Sequence, residues 1–337
     1  MVRRIEVTGA GGVPLVAWEF ADPLKGTGAG DGPETGGYPG EAGDREDSGV
    51  TGDAGVTGVT GDTEGMGGDP GGGPGGDRAP GVLLLHGLMG RGSHWAATAR
   101  WLSARHRAVA LDQRGHGHSG KPADGPFTRE VFVADAAAAI EQLGLGPVVV
   151  IGHAMGALTA WQLAAARPDL VRAVVLSEMR ASALGAASQR EWESWFRSWP
   201  LPFATLADAR RWFGADDPVL ERPNPARGDF FAEVMTEETD GRRPVFSRRQ
   251  MLAARSAWAH DAHWEELAQV RCPALVVRGL DGELGRAEAT EMVRVLPYGQ
   301  YAEVDGAGHL VHYDQPEGWR AVVEPFLAAL PPLTAVA

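Results

Sequence analysis

The chain is 337 residues long, enough for one large domain or two ordinary ones. A hydrophobic fraction of 44% supplies a substantial core, and a mean hydropathy of −0.18 is that of a soluble protein. The formal charge of −13 is uneven, with roughly −8 of it between residues 23 and 80, and no basic stripe tracks phosphates, which argues against nucleic acid as a partner.

Met1-Val2-Arg3-Arg4 runs into Ile5-Glu6-Val7-Thr8 rather than an apolar stretch, so no leader segment is expected. No run reaches the ~18 apolar residues that a membrane span needs. A lone cysteine, Cys272, allows neither an internal disulfide nor a cysteine metal cluster. These features predict a soluble cytoplasmic protein.

Residues 4–7 and 14–20 read as two short strands that turn at Gly11-Gly12. The composition then changes. Roughly 21 of the 58 residues from 23 to 80 are glycine, with an imperfect repeat in Val50-Thr51-Gly52-Asp53, Val56-Thr57-Gly58 and Val59-Thr60-Gly61-Asp62. Such a segment buries too little apolar area to offset backbone ordering at ~1–2 kcal/mol per residue. Its acids are too irregularly spaced for a calcium-binding repeat. A disordered loop between the second and third strands is predicted, a position where length costs little closure entropy.

Gly81-Val82-Leu83-Leu84-Leu85-His86 is the continuous apolar run of a strand buried on both faces. Strands are predicted next at 107–111, 147–151, 171–176, 274–278 and 300–304, and helices at 128–143, 155–166, 287–296 and 316–330. This alternation predicts an α/β fold with a doubly wound, mostly parallel sheet, whose ligands bind at the carboxyl ends of the strands. Residues 181–263 interrupt the pattern. There Trp192, Trp195 and Trp199 fall on one helical face, either to pack this segment onto the core or to wall a pocket for a flat or apolar ligand.

Four motifs stand at strand ends. Gly152-His153-Ala154-Met155-Gly156 lies between a strand and a helix, where two glycines permit a sharp turn that projects residue 154. His86-Gly87-Leu88-Met89-Gly90, Asp112-Gln113-Arg114-Gly115-His116-Gly117-His118-Ser119 and Gly306-Ala307-Gly308-His309 follow three other strands. Together they resemble the α/β-hydrolase family over about residues 3–22 and 81–330. The resemblance implies a core of residues 1–22, 81–180 and 264–337, an insert at 23–80 and a helical cap at 181–263. It also implies His309 as the catalytic histidine, oxyanion-binding amides at Leu88 and Met155, and a triad acid after the strand that ends at Arg278. Glu283 is favoured for that acid over Asp281, with Glu178, at the end of the preceding strand, as the alternative.

The departure is Ala154. The family's elbow carries a serine, cysteine or aspartate, and alanine has no nucleophilic atom. Loss of a nucleophile costs about 10⁶ in turnover, roughly 8 kcal/mol of barrier reduction. Cys272, just before a strand at the opposite sheet edge, reads as a small buried residue. His86 and His153 flank the pocket but read mainly as structural, His116 and His118 as turn and surface residues, and Asp112 as the organiser of its own loop. His312 lies three residues beyond His309 without a third ligand for a metal.

Three functions remain open at this point. The first is a hydrolase of a small, apolar ester, lactone or carbonyl substrate in which alanine replaces serine. The second is a nucleophile-free enzyme, such as a lyase, cyclase or cofactor-free oxygenase, with His309 polarised by Glu283 as general base. The third is a non-catalytic binder of a small ligand. No dinucleotide fingerprint or metal cluster implies a cofactor.

Overall fold

The computed structural model describes residues 2–21 and 79–332. The glycine-rich stretch expected to be irregular lies, apart from Ala79 and Pro80, outside the described residues. Strand β1 (Val2–Thr8) pairs antiparallel with β2 (Pro14–Phe20), and the chain next enters β3 (Gly81–Leu85), whose five residues are all buried. Helix α1 (Ala96–Leu102), not anticipated from the sequence, leads to β4 (Arg107–Asp112), α2 (Arg129–Leu143), β5 (Val148–His153), α3 (Met155–Ala166) and β6 (Val171–Ser177).

The chain then leaves the sheet through α4 (Gly185–Ser198), α5 (Leu206–Arg211), α6 (Pro225–Glu233), the strands β7 (Met235–Glu238) and β8 (Gly241–Pro244), and α7 (Arg248–Ala259). It returns by α8 (Trp264–Ala268) to β9 (Ala274–Gly279), α9 (Arg286–Val295), β10 (Gly299–Val304), α10 (Val311–Asp314) and α11 (Pro316–Ala328). The β7–β8 hairpin corrects the expectation of a purely helical excursion. Thr239-Asp240 forms its two-residue turn, and Gly241, which opens β8 opposite Glu238, takes a φ of 136°.

Eight strands form one sheet in the order β1-β2-β4-β3-β5-β6-β9-β10. Every neighbouring pair from β4 to β10 is parallel, and β2 joins the edge antiparallel to β4. Both faces are covered. Val150, Leu158, Trp161 and Ile140 belong to one core cluster, between the sheet and α2, α3 and α9. Ile151, Trp95, Trp319 and Phe326 belong to another, under α1 and α11. This two-sided burial explains why β3 and β5 lack polar alternation. Among the described residues, no helix is long and apolar enough to cross a membrane.

A third cluster joins the excursion to the sheet's carboxyl edge. Phe196, Trp199, Phe213, Phe231 and Met251 pack with Leu88, Met89, Met155 and Leu310 from the loops below. Within this cluster the aromatic rings of α4 and its C-cap, Trp195, Phe196 and Trp199, pack against one another, and Trp195 and Trp199 also meet rings of the same excursion, among them Phe213, Phe231 and Phe246.

Candidate active site

Three loops are held in a conformation that non-glycine residues seldom adopt. Among the described residues, Met89 (φ 65°), Ala154 (φ 47°) and Glu178 (φ 51°) are the non-glycine positions with left-handed φ. They follow β3, β5 and β6, side by side at the carboxyl edge of the sheet. Strain gathered at one edge is the signature of a built site.

The elbow is complete in shape. Ala154 precedes the first turn of α3 with φ 47° and ψ −119°, and its amide donates to Ser177 O at 2.9 Å. Gly156 permits the tight approach of α3, since a Cβ there would come within 2.1 Å of Leu85 O. The Met155 amide opens the helix, where no intrahelical acceptor exists for it, and Leu88 sits on the buried loop after β3. Both loops stand at the carboxyl edge of the sheet, after the neighbouring strands β3 and β5.

His309 lies in the loop after β10 with its side chain one-third exposed. Its Nδ1 is 3.5 Å from Glu178 Oε2 and 3.8 Å from Glu283 Oε2, ion-pair distances in both cases. The two acids differ greatly in setting. The Glu178 side chain is fully buried and accepts from the amides of Gly279 at 2.9 Å, Glu283 at 2.8 Å and Leu284 at 3.1 Å. Gly282 makes room for it, as a Cβ there would meet Glu178 Oε1 at 2.4 Å. The Glu283 side chain is 75% exposed. Asp281, the other candidate, is drawn away into an exposed ion pair with Arg222. Burial works against the charged form of His309, but the Glu283 and Glu178 carboxylates, helped by Asp314, outweigh it and hold the imidazole up at about 9.

Asp314 was not singled out from the sequence. It accepts from Gly308 N at 2.9 Å, so it fixes the turn that presents His309, and burial raises its own carboxyl. Its signal was its place five residues past the histidine, in the short helix that closes the loop.

The remaining polar residues take structural roles. His86 takes the Gln113 amide at Nε2 (3.0 Å) and faces Gly87 O with Nδ1, and burial pushes it down to about 4. Asp112 accepts from Gly92 N at 2.6 Å, His118 N at 2.9 Å and Trp18 Nε1 at 3.1 Å, so it orders more than its own loop. His116 is wholly buried against His86, not on the surface as expected. His153 Nε2 meets His309 O at 2.8 Å. His312 stacks on Trp95, and among the described residues no group of three or more metal-ligating side chains occurs. Cys272 sits half-buried just before β9, where burial raises its thiol to about 11.

A strained elbow and a histidine backed by a buried acid, at adjoining strand ends of one mostly parallel sheet, match a known architecture. The alpha/beta hydrolase family model fits residues 82–322. The chain belongs to the alpha/beta hydrolase family. An (E)-2-((N-methylformamido)methylene)succinate hydrolase of Acinetobacter baylyi is 28% identical over 256 residues, 74% of this chain and 91% of that protein. The enol-lactonase of Burkholderia xenovorans LB400 is similar in structure, with a TM-score of 0.59 and 27% identity over 74% of this chain and 92% of its own. An E-2-(acetamidomethylene)succinate hydrolase shares the fold at a TM-score of 0.72 and 20% identity, over 98% of this chain and all of that one.

Proposed function

We propose that this member of the family is an enzyme acting on a small ester, lactone, amide or other carbonyl substrate without a covalent enzyme intermediate. Ala154 has no atom with which to attack. The working group is then His309, with Glu178 rather than Glu283 as its principal partner. Nδ1 faces the acids, so Nε2 serves the substrate, either by taking a proton from water or by taking one from the substrate itself. The Leu88 and Met155 amides receive the negative charge that develops on the carbonyl oxygen. The excursion between β6 and β9 acts as a cap, and its aromatic face closes the site from water. A cytoplasmic setting and a small-molecule partner belong to the same reading.

One observation carries it: a fully buried carboxylate, held by three backbone amides, stands 3.5 Å from Nδ1 of His309 at the sheet edge that also holds the strained elbow. Burying a charge is costly unless it is paired and hydrogen-bonded, and a simple binding pocket needs no such device. The relatives support the substrate class, since two of those named above are hydrolases of an amide-bearing succinate and of an enol lactone.

The test is hydrolysis of p-nitrophenyl acetate by the unaltered chain, by His309→Ala and by Ala154→Ser. We expect slow turnover by the unaltered chain that is lost in His309→Ala and rises with pH through about 9 as the imidazole loses its proton. Ala154→Ser should gain about 10³-fold or more. Turnover that is indifferent to His309 in both backgrounds would overturn the proposal.

A further inference from the structure

Helices α4 and α7 enclose a guanidinium that has no counterion. Arg255 on α7 is 1% exposed. Its Nη1 donates to Gln189 Oε1 at 2.8 Å and its Nη2 to Ser188 Oγ at 2.6 Å, both near the start of α4. The planar group lies against two indoles, 4.9 Å from the Trp192 ring centre and 5.5 Å from that of Trp258. Among the described residues no carboxylate comes within ion-pair distance. The acids whose charge reaches it are Glu283 and Glu191, and Glu283 is the one beside His309. Two buried donors in this wall, Arg255 Nε and Trp258 Nε1, have no acceptor.

The same excursion shows how a structural arginine is accommodated. Arg227 also lies among aromatic rings, those of Trp195, Phe213 and Phe231, but Asp217, 2% exposed, meets its Nη2 at 2.6 Å. Arg114 is neutralised in the core by Asp135, with contacts of 2.7 and 2.8 Å. Arg129 also lacks an acid, but its electrostatic neighbours are Glu130 and Glu266, on α2 and α8. Trp95, Trp161 and Trp319 have unpartnered indole N–H groups too, yet no cation is stacked on any of them among the described residues. Arg255 thus combines an uncompensated charge, two orphan donors, two flat apolar walls and electrostatic reach to the acid beside His309.

We propose that Arg255, framed by Trp192 and Trp258, is the subsite that receives a carboxylate of the substrate, so that the enzyme selects small, planar organic acids. A carboxylate accepts from Arg255 Nε–H and Trp258 Nε1–H together and neutralises the buried charge, while the two indoles hold the guanidinium in place. The reactive carbonyl is then at the other end of the molecule, towards Ala154 and His309. This assignment rests on the reading of the site as one for a small carbonyl substrate, but its test does not depend on turnover.

Maleate, a planar dicarboxylate, is the probe, titrated into the full chain by calorimetry and by tryptophan fluorescence, with dimethyl maleate as the uncharged control. The unaltered chain should bind maleate saturably and the diester far more weakly. Arg255→Met should weaken maleate by roughly 10–100-fold, the loss expected for hydrogen bonds to a charged group. Arg255→Lys, which keeps the charge, should fall between, and Trp258→Phe, which keeps the ring and removes the N–H, should cost roughly 2–10-fold. Thermal melting checks each fold, and the two conservative variants decide the matter if Arg255→Met does not fold. His309→Ala should bind maleate within a few fold of the unaltered chain while losing ester hydrolysis, which separates the fate of the catalytic reading from that of this subsite. Equal binding of maleate and its diester, or maleate binding unchanged in folded Arg255 variants, would overturn the assignment, as would no maleate binding at all.

Discussion

The elbow after β5 and the acid–base loops after β6, β9 and β10 face each other across one site, and they retain different things. The elbow keeps the backbone geometry of a nucleophile, φ 47° and ψ −119° at Ala154, around a methyl group. The other side keeps ionisable side chains: His309, a buried Glu178 on three amides and Asp314 behind the turn. The comparison teaches that the elbow's shape is set by its neighbours, since Gly156 under Leu85 O and the Ala154 amide on Ser177 O hold it whatever stands at 154. On the other side backbone bonds also hold the loop after β9, from Leu280 N to Val304 O and from Asp281 N to Ala307 O, but a side chain adds to them. Glu178 is part of that scaffold, because its carboxylate ties the loop after β9 to the end of β6.

That difference predicts where the molecule is fragile. Glu178→Ala leaves three amide donors without acceptors and removes the buried partner of His309, and should cost roughly 3–5 kcal/mol by urea denaturation. Glu283→Ala, on an exposed side chain, should cost less than about 1 kcal/mol. Similar losses at the two positions would mean that Glu178 is not part of the scaffold.

Much of this was legible in the sequence. The parallel sheet announced itself in the uninterrupted runs at Val82–Leu85 and Val148–Ile151, and the strand-end loops that carry Leu88, Ala154 and His309 did so in short motifs. The choice of acid was not legible. Glu178, Asp281 and Glu283 all follow strands, and only the third dimension shows one buried among amides, one paired with Arg222 and one in solvent. The missing counterion of Arg255 was equally hidden, because a sequence does not show that Asp217 is spent on Arg227. The β7–β8 hairpin was not legible either, because its turn residues, Thr239 and Asp240, are not the Asn-Gly or Asp-Gly pair that marks such turns.

The same contrast can be sharpened by titration. His309 should titrate near 9 when its imidazole is followed by NMR, against an ordinary histidine value of 6.5. Because the folded value is the raised one, this pair stabilises the fold fully below about 6.5, and that contribution is lost as the pH rises through about 9. Glu178→Gln and Glu283→Gln should each lower the midpoint. Exposure should let salt erase the Glu283 contribution and spare that of buried Glu178. A midpoint near 6.5 in the unaltered chain would mean that burial of the ring cancels the pull of the carboxylates.

The smallest effect bears on the elbow itself. A φ of 47° with ψ −119° is open to glycine and costs other residues of order 1–3 kcal/mol. Ala154→Gly relieves that strain but gives the unfolded chain more freedom, worth about 0.4–1 kcal/mol in the other direction. The net expectation is a stabilisation of about 1 kcal/mol, read as a higher urea midpoint at unchanged slope. Since the neighbours hold the turn, the gain should come without movement of His309, and its titration midpoint should stay near 9. A loss of stability would show instead that the Ala154 methyl contributes packing that outweighs the strain, and that the elbow has been refitted around alanine rather than merely left without a nucleophile.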